Sequence, residues 1–138
     1  MSSRLNPYLN FNGNAREAMQ FYASVFGGDL SLSTFGDLGA DGPDANRIMH
    51  GMLQTKDGYT IMGADVPSTM PYESMAGASV SISGGEAESA ALHGYWDKLA
   101  AGGTTTMPLA RQSWGDEFGM CTDKYGVPWM IDIGPTAG

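Results

Sequence analysis

Apolar residues recur along this chain in two rhythms, and the same order of rhythms occurs twice. In "NAREAMQFYASVFGG" the apolar residues Ala18, Met19, Tyr22, Val25 and Phe26 fall at helical spacing. Asn14, followed three residues on by Glu17, forms a capping-box pattern with Asn in place of Ser or Thr. Gly27 and Gly28 end the run. "EAESAALHGYWDKLAAGG" repeats the arrangement with Leu92, Tyr95, Trp96 and Leu99, and stops at Gly102 and Gly103. A short alternating strand precedes each helix, "YLNFN" and then "SVSIS". Another strand follows each, "LSLSTF" and a weaker "TTTMPL".

The most explicit repeat comes next in each half. "GMLQTKDGYTIM", Gly51 to Met62, aligns without a gap on "GMCTDKYGVPWM", Gly119 to Met130, and five of twelve positions match. Each stretch is two strand-like runs around a polar break containing Gly. That pattern predicts a hairpin with a three-residue loop and Gly in the left-handed position. The predicted order is therefore β-α-β-β-β, twice, as modules of about 4–65 and 77–134 within one domain spanning 1–138. A repeat offset near 70 residues is too long for a solenoid unit and points to a duplicated half-domain. The fold class is α+β. "GDLGADGPDAN" reads as an acidic, Gly-rich mobile loop, and "DVPSTMPYESMAGA" as a linker between the halves.

Three-residue loops fix the hairpin registers. Thr55 then lies opposite Tyr59, Met52 opposite Met62 and His50 opposite Ala64; Met120 faces Met130 and Phe118 faces Asp132. Because side chains alternate, Leu53, Ile61, Cys121, Trp129, Ile131 and Ile133, with Tyr59 and Val127, share the face that packs under the helices. Leu9, Phe11, Val80 and Ile82 point the same way. The opposite, open face carries Asn6, Tyr8, Asn10, His50, Met52 and Met62 in the first half. In the second it carries Ser79, Ser81, Ser83, Phe118, Met120, Met130 and Asp132. A curved sheet lined in this way suits a small-molecule cleft, and methionines adapt to varied apolar ligands. The competing reading buries the same faces against each other or in a dimer.

Charge narrows the partners. The net charge is −8, and the seven basic residues are scattered, so a polyanion such as nucleic acid is repelled. No run of apolar residues is long enough for a membrane span, and the N-terminus lacks a signal-peptide pattern. The single cysteine, Cys121, excludes an internal disulfide. A cytoplasmic location is the expectation.

Candidate chemistry is sparse. His50 could act as acid, base or donor on the open face, with Asp116 or Asp132 as its carboxylate. His93, on a helix, reads as a surface residue. Trp114, on the loop into the last hairpin with Asp116, could stack a flat ligand or close the end of the core. Cys121 reads as a small buried hydrophobe. No phosphate-binding or dinucleotide-binding glycine loop is present.

The doubled βαβββ unit resembles the vicinal oxygen chelate superfamily of glyoxalase I, extradiol dioxygenases and the bleomycin and fosfomycin resistance proteins. "PYLNFNGNAREAMQFYASVFGG", "RIMHGML" and "WGDEFGMCTDKYGVPWMID" look like its PhnB-type branch, described as resembling 3-demethylubiquinone 3-methyltransferase. The resemblance implies a curved, mostly antiparallel eight-stranded sheet with helices on its convex side, and a homodimer. It also implies divalent-metal ligands from the first and last strand of each half. Those positions fall here at Asn6 or Pro7, Met62, Ser79 or Ser81, and Met130, none a good ligand for a hard ion. The expectation is a protein with no metal and no cofactor that binds a small apolar or aromatic molecule. Its ligand-contacting residues are Tyr8, Asn10, Met52, Met62, Trp114, Phe118, Met120 and Met130. The alternative is a metal-independent lyase, isomerase or transferase using His50 and Asp116; a divalent-metal lyase or dioxygenase is the remoter possibility. Nothing reads as a loop for S-adenosylmethionine.

Overall fold

In a computed structural model, which describes residues 3–135, each half contains one helix and four strands. The first comprises β1 (Tyr8–Phe11), α1 (Ala15–Phe26), β2 (Asp29–Thr34), β3 (Ile48–Gln54) and β4 (Thr60–Asp65). The second comprises β5 (Val80–Gly84), α2 (Ser89–Ala100), β6 (Thr104–Arg111), β7 (Glu117–Thr122) and β8 (Pro128–Ile133). The chain divides into two compact units between Ser74 and Met75.

The eight expected strands form two four-stranded sheets, ordered β1-β4-β3-β2 and β5-β8-β7-β6. Each is mixed: β1 runs parallel to β4 and β5 parallel to β8, and the remaining pairs are antiparallel. Parallel neighbours arise because each leading strand is inserted beside the last strand of its own module, with the helix in the crossover.

Both hairpins have the predicted register. Met52 pairs with Met62, Met120 with Met130 and Phe118 with Asp132. Each loop closes by paired backbone bonds, Thr55 N–H to Tyr59 C=O and Asp123 N–H to Val127 C=O, both 2.9 Å. Gly58 and Gly126 take the left-handed position, with φ of 88° and 89°. A β-carbon is disfavoured there, which is why both repeats carry glycine.

The helix-side face of each sheet is the core. Leu9, Phe11, Leu53 and Ile61 are buried in the first unit, and Ile82, Cys121, Val127, Trp129, Ile131 and Ile133 in the second. Tyr59 departs from the expectation. It is exposed and meets Phe26 edge-on at the rim, 6.3 Å between ring centroids.

The repeated Gly of each hairpin admits a close neighbour. A β-carbon on Gly51 would lie 2.9 Å from Cδ2 of Leu32, with Met19 of α1 at an ordinary 3.5 Å. One on Gly119 would lie 2.8 Å from Cα of Leu109 and 2.9 Å from Cη2 of Trp96. The helix-terminating glycines have a second cause. A β-carbon on Gly28 would run into the carbonyl oxygen of Gln54, and one on Gly103 into that of Thr122. The chain therefore passes flush against the hairpin in both units.

The expected capping box at the start of α1 does not form, as the Asn14 side chain makes no cap. Asp65, at the end of β4, replaces it. Its carboxylate accepts from the N–H of Gly13 at 2.7 Å, of Ala15 at 3.0 Å and of Ile48 at 2.9 Å. A charged acceptor reaching in from the sheet satisfies the helix start better than the local side chain. The loop after β2 contains a short 3-10 turn, Gly36–Leu38. It is tied to the chain before β3 through Phe35 N–H to Arg47 C=O and Gly36 N–H to Ala45 C=O.

Candidate functional site

The open face of the first sheet is built in cross-strand rows. Tyr8, Met62, Met52 and Ser31 are successive partners across β1, β4, β3 and β2. The next row holds Asn10 and Ala64, which pair, and His50 and Ser33, which pair. Met52, Met62 and His50 are half-buried, while Tyr8 and Asn10 are exposed. Ala64 is 8% exposed although it belongs to this face. Two polar rings come together near it: Tyr8 Oη lies 3.1 Å from His50 Nδ1, with the ring centroids 5.8 Å apart. Tyr8 stands on β1 and His50 on β3, with β4 between them. The phenol must therefore cross β4, and the small methyl of Ala64 leaves it room.

In the second sheet, Met120 pairs with Met130, Ser81 with Met130, and Ser83 with Asp132. Met120, Met130 and Phe118 are half-buried. Trp114 is 55% exposed and packs edge-on against Phe118, centroids 6.0 Å apart. It stacks at the margin of the open face and does not plug the core.

Asp116 is 1% exposed. Its side chain is hydrogen-bonded to that of Asp132, while Oδ1 of Asp132 is buried without a hydrogen-bond partner. Burial, then the hydrogen bond and the charge of Asp116, raise the Asp132 carboxyl above its ordinary 3.8. Sequence reasoning placed each carboxylate near the site but not against each other. The signal was present, because Asp116 immediately precedes β7 and Asp132 lies on its partner strand.

His93 lies at the surface, as expected, with its side chain 44% exposed. Its Nε2 lies 2.7 Å from Oε2 of Glu117, and Arg111 Nη2 lies 4.0 Å from Oε1 of the same carboxylate. Cys121 is buried as expected. Burial and the charge of Asp123 push its thiol up to about 11, so it is a poor nucleophile.

The donor set does not fit a hard divalent ion. The central partners on the open faces are thioethers, Met52 with Met62 and Met120 with Met130. Such sulfurs do not hold ions that take oxygen and nitrogen ligands. Among the described residues, no three His, Cys, Asp or Glu side chains are grouped to hold a metal ion.

Known proteins place this architecture. The sequence profile of the 3-demethylubiquinone-9 3-methyltransferase family matches residues 3–132. The chain belongs to that family. It is 30% identical to protein YjdN of Escherichia coli over 94% of each chain. The solved structure of PA1353 from Pseudomonas aeruginosa superposes with a TM-score of 0.86 at 36% identity, covering 96% of this chain and 98% of that one. A putative 3-demethylubiquinone-9 3-methyltransferase, PhnB protein, from Bacillus cereus gives a TM-score of 0.74 at 27% identity, over 96% and 100%. At 10% and 16% identity, fosfomycin-resistance and glyoxalase-related structures share the fold alone. The family thus has the glyoxalase-like, vicinal oxygen chelate architecture that the sequence resembles.

Proposed function

We propose that this member of the family is a metal-independent binding protein for a small apolar or aromatic molecule, taken up on the open sheet face. The observation that carries this reading is the placement of facing methionine pairs, Met52 with Met62 and Met120 with Met130, on faces where they stay half-buried. Thioethers give a face that is apolar, polarizable and adaptable, and they give a hard cation no seat. Tyr8, Phe118 and Trp114 add aromatic surface for stacking.

The alternative, an enzyme using His50 and a carboxylate, has less behind it. The group against His50 Nδ1 is the Tyr8 phenol, and the Asp116 carboxylate is buried against Asp132. The methyl-transfer activity in the family's description is not carried over to this chain, whose sequence offers no recognisable methyl-donor loop.

Methionine methyl groups report on the proposal directly. With methyl-labelled methionine, adding 2-methylnaphthalene in the presence of EDTA should shift the resonances of Met52 and Met62, of Met120 and Met130, or of both pairs. Met19, fully buried on the sheet-facing side of α1, should stay still. If only the exposed Met70 and Met107 respond, or none does, the reading is wrong.

A further inference from the structure

Resting on that reading, we infer that the Tyr8–His50 pair is a hydroxyl-recognition point, so that the preferred ligand is an aromatic molecule carrying a hydroxyl group. The argument begins with how the pair can hydrogen-bond. Only one hydrogen bond joins Tyr8 Oη and His50 Nδ1, at 3.1 Å. A neutral imidazole has one N–H and one bare nitrogen, and a phenol has one O–H and free lone pairs.

Suppose Tyr8 donates to Nδ1. Then Nε2–H is a spare donor and the phenol oxygen a spare acceptor. Suppose instead that Nδ1–H donates to the phenol oxygen. Then the Tyr8 O–H is the spare donor and Nε2 the spare acceptor. The spare groups sit at Tyr8 Oη and at His50 Nε2, on opposite sides of the imidazole, so one ligand group meets only one of them. A hydroxyl alone pairs with Tyr8 Oη in either tautomer, donating to it in the first and accepting from it in the second. A carbonyl or ether would use only the donor. A carboxylate would use only the donor and would also bring a charge to a chain of net charge −8.

The surroundings place the aromatic part of such a molecule. Met62 is the strand partner of Tyr8, and Met52 the partner of Met62. A ring lying on the two thioethers has its polar edge at the dyad. Ala64, small and on the same face, keeps the floor low beside it. Tyr8 is 48% exposed, so its hydroxyl is reachable. The histidine is half-buried, and its ring orientation is held by the phenol.

Two probes of equal shape separate this inference from the reading beneath it: 2-naphthol and 2-methylnaphthalene differ by a hydroxyl in place of a methyl group. Titration calorimetry at pH 7.5 on the intact chain should give 2-naphthol the lower Kd by about fivefold, the ratio that corresponds to one net hydrogen bond of about 1 kcal/mol. In Tyr8→Phe and His50→Leu the ratio should fall to about one. His50→Gln, which keeps a donor and an acceptor, should retain part of it. Circular dichroism checks that each variant is folded. Equal affinity of the wild-type protein for the two probes, or a ratio that survives Tyr8→Phe, overturns the hydroxyl assignment and leaves the apolar face standing. Failure of both probes to bind overturns both.

Discussion

Asp65 secures three backbone N–H groups with one carboxylate, at the start of α1 and the start of β3. It is 4% exposed, so removing it leaves buried donors without partners. Asp65→Ala should therefore lower stability by about 2–4 kcal/mol, read from the urea midpoint; a loss below about 1 kcal/mol would show that water replaces the carboxylate. Asp132 behaves in the opposite sense. Its folded-state pKa is raised above the ordinary 3.8 by burial and by Asp116, so the folded chain holds that proton more tightly than the unfolded chain. The resulting stabilisation is complete below 3.8 and is lost as pH rises through the raised folded value. Besides Asp116, the titratable and charged groups near this pair are Glu117, the next residue in the chain, and the His93 and Arg111 that face Glu117. Asp132→Asn stays neutral throughout. Its stability should gain on the wild type as pH rises from 4 to 8; parallel curves would mean that Asp132 is not the titrating group. Cys121, buried with its thiol pushed up to about 11, should resist alkylation in the native protein at pH 8 and react once unfolded. At this scale the sequence is legible wherever strand parity decides. Parity puts Tyr8 and His50 on one face. It cannot join them, because their meeting depends on strand order β1-β4-β3, with β4 arriving last in the chain yet lying between them.

Helices and hairpins were the most readable level, because period, turn residues and repetition agree with one another. Three of the five repeated residues have a visible packing or turn reason. Gly51 and Gly119 admit neighbouring side chains, and Gly58 and Gly126 turn the hairpins. The aliphatic stem of Lys56 covers Gly27, and that of Lys124 covers Gly102. The other two matches are the methionines Met52 with Met120 and Met62 with Met130, which lie on the open faces. What eluded sequence reading was contact between elements. The helix cap comes from Asp65, about fifty residues downstream of α1's start, and no local pattern announces it. β6 looks weak as a strand because seven of its eight residues are exposed, so no alternation of buried and open positions marks it. The glycines at helix ends illustrate the same point. Gly103→Ala would drive a methyl group into the Thr122 carbonyl and should cost about 3 kcal/mol or more, through overpacking against backbone. Gly94, inside α2 with nothing within 4 Å of an added β-carbon, should do the reverse. Gly94→Ala is expected to stabilise by about 0.5–1 kcal/mol through helix propensity and a less free unfolded chain. Similar urea midpoints for the two variants would remove the distinction between a glycine needed for close approach and one that is not.

Across the whole molecule, duplication multiplies unpaired sheet edges. Two four-stranded sheets have four edge strands, β1 and β2 in one and β5 and β6 in the other. Edges are commonly protected by proline, bulges and charge. β6 carries Pro108, Arg111 and register breaks around Met107, and so is guarded. β2, "DLSLST", has no proline, no basic residue and a single irregularity at its far end. The stretch of β2 between Asp29 and the irregularity at Ser33 carries no such guard and persists when something covers it, and net charge of −8 keeps unrelated partners apart without preventing a specific pairing. A second copy of the chain is the simplest cover. Sedimentation equilibrium at 20 µM should then report about twice the 14.6 kDa of the chain. Register places the N–H of Ser31 against Met52 of β3, so the donors that point outward from β2 are those of Leu30 and Leu32. If β2 is the covered edge, Leu30→Pro, which removes an outward donor at a half-buried position, should shift the mass toward 14.6 kDa with the circular dichroism spectrum retained. A wild-type mass of 14.6 kDa at that concentration would refute the pairing, and an undissociated, folded Leu30→Pro variant would move it to another edge.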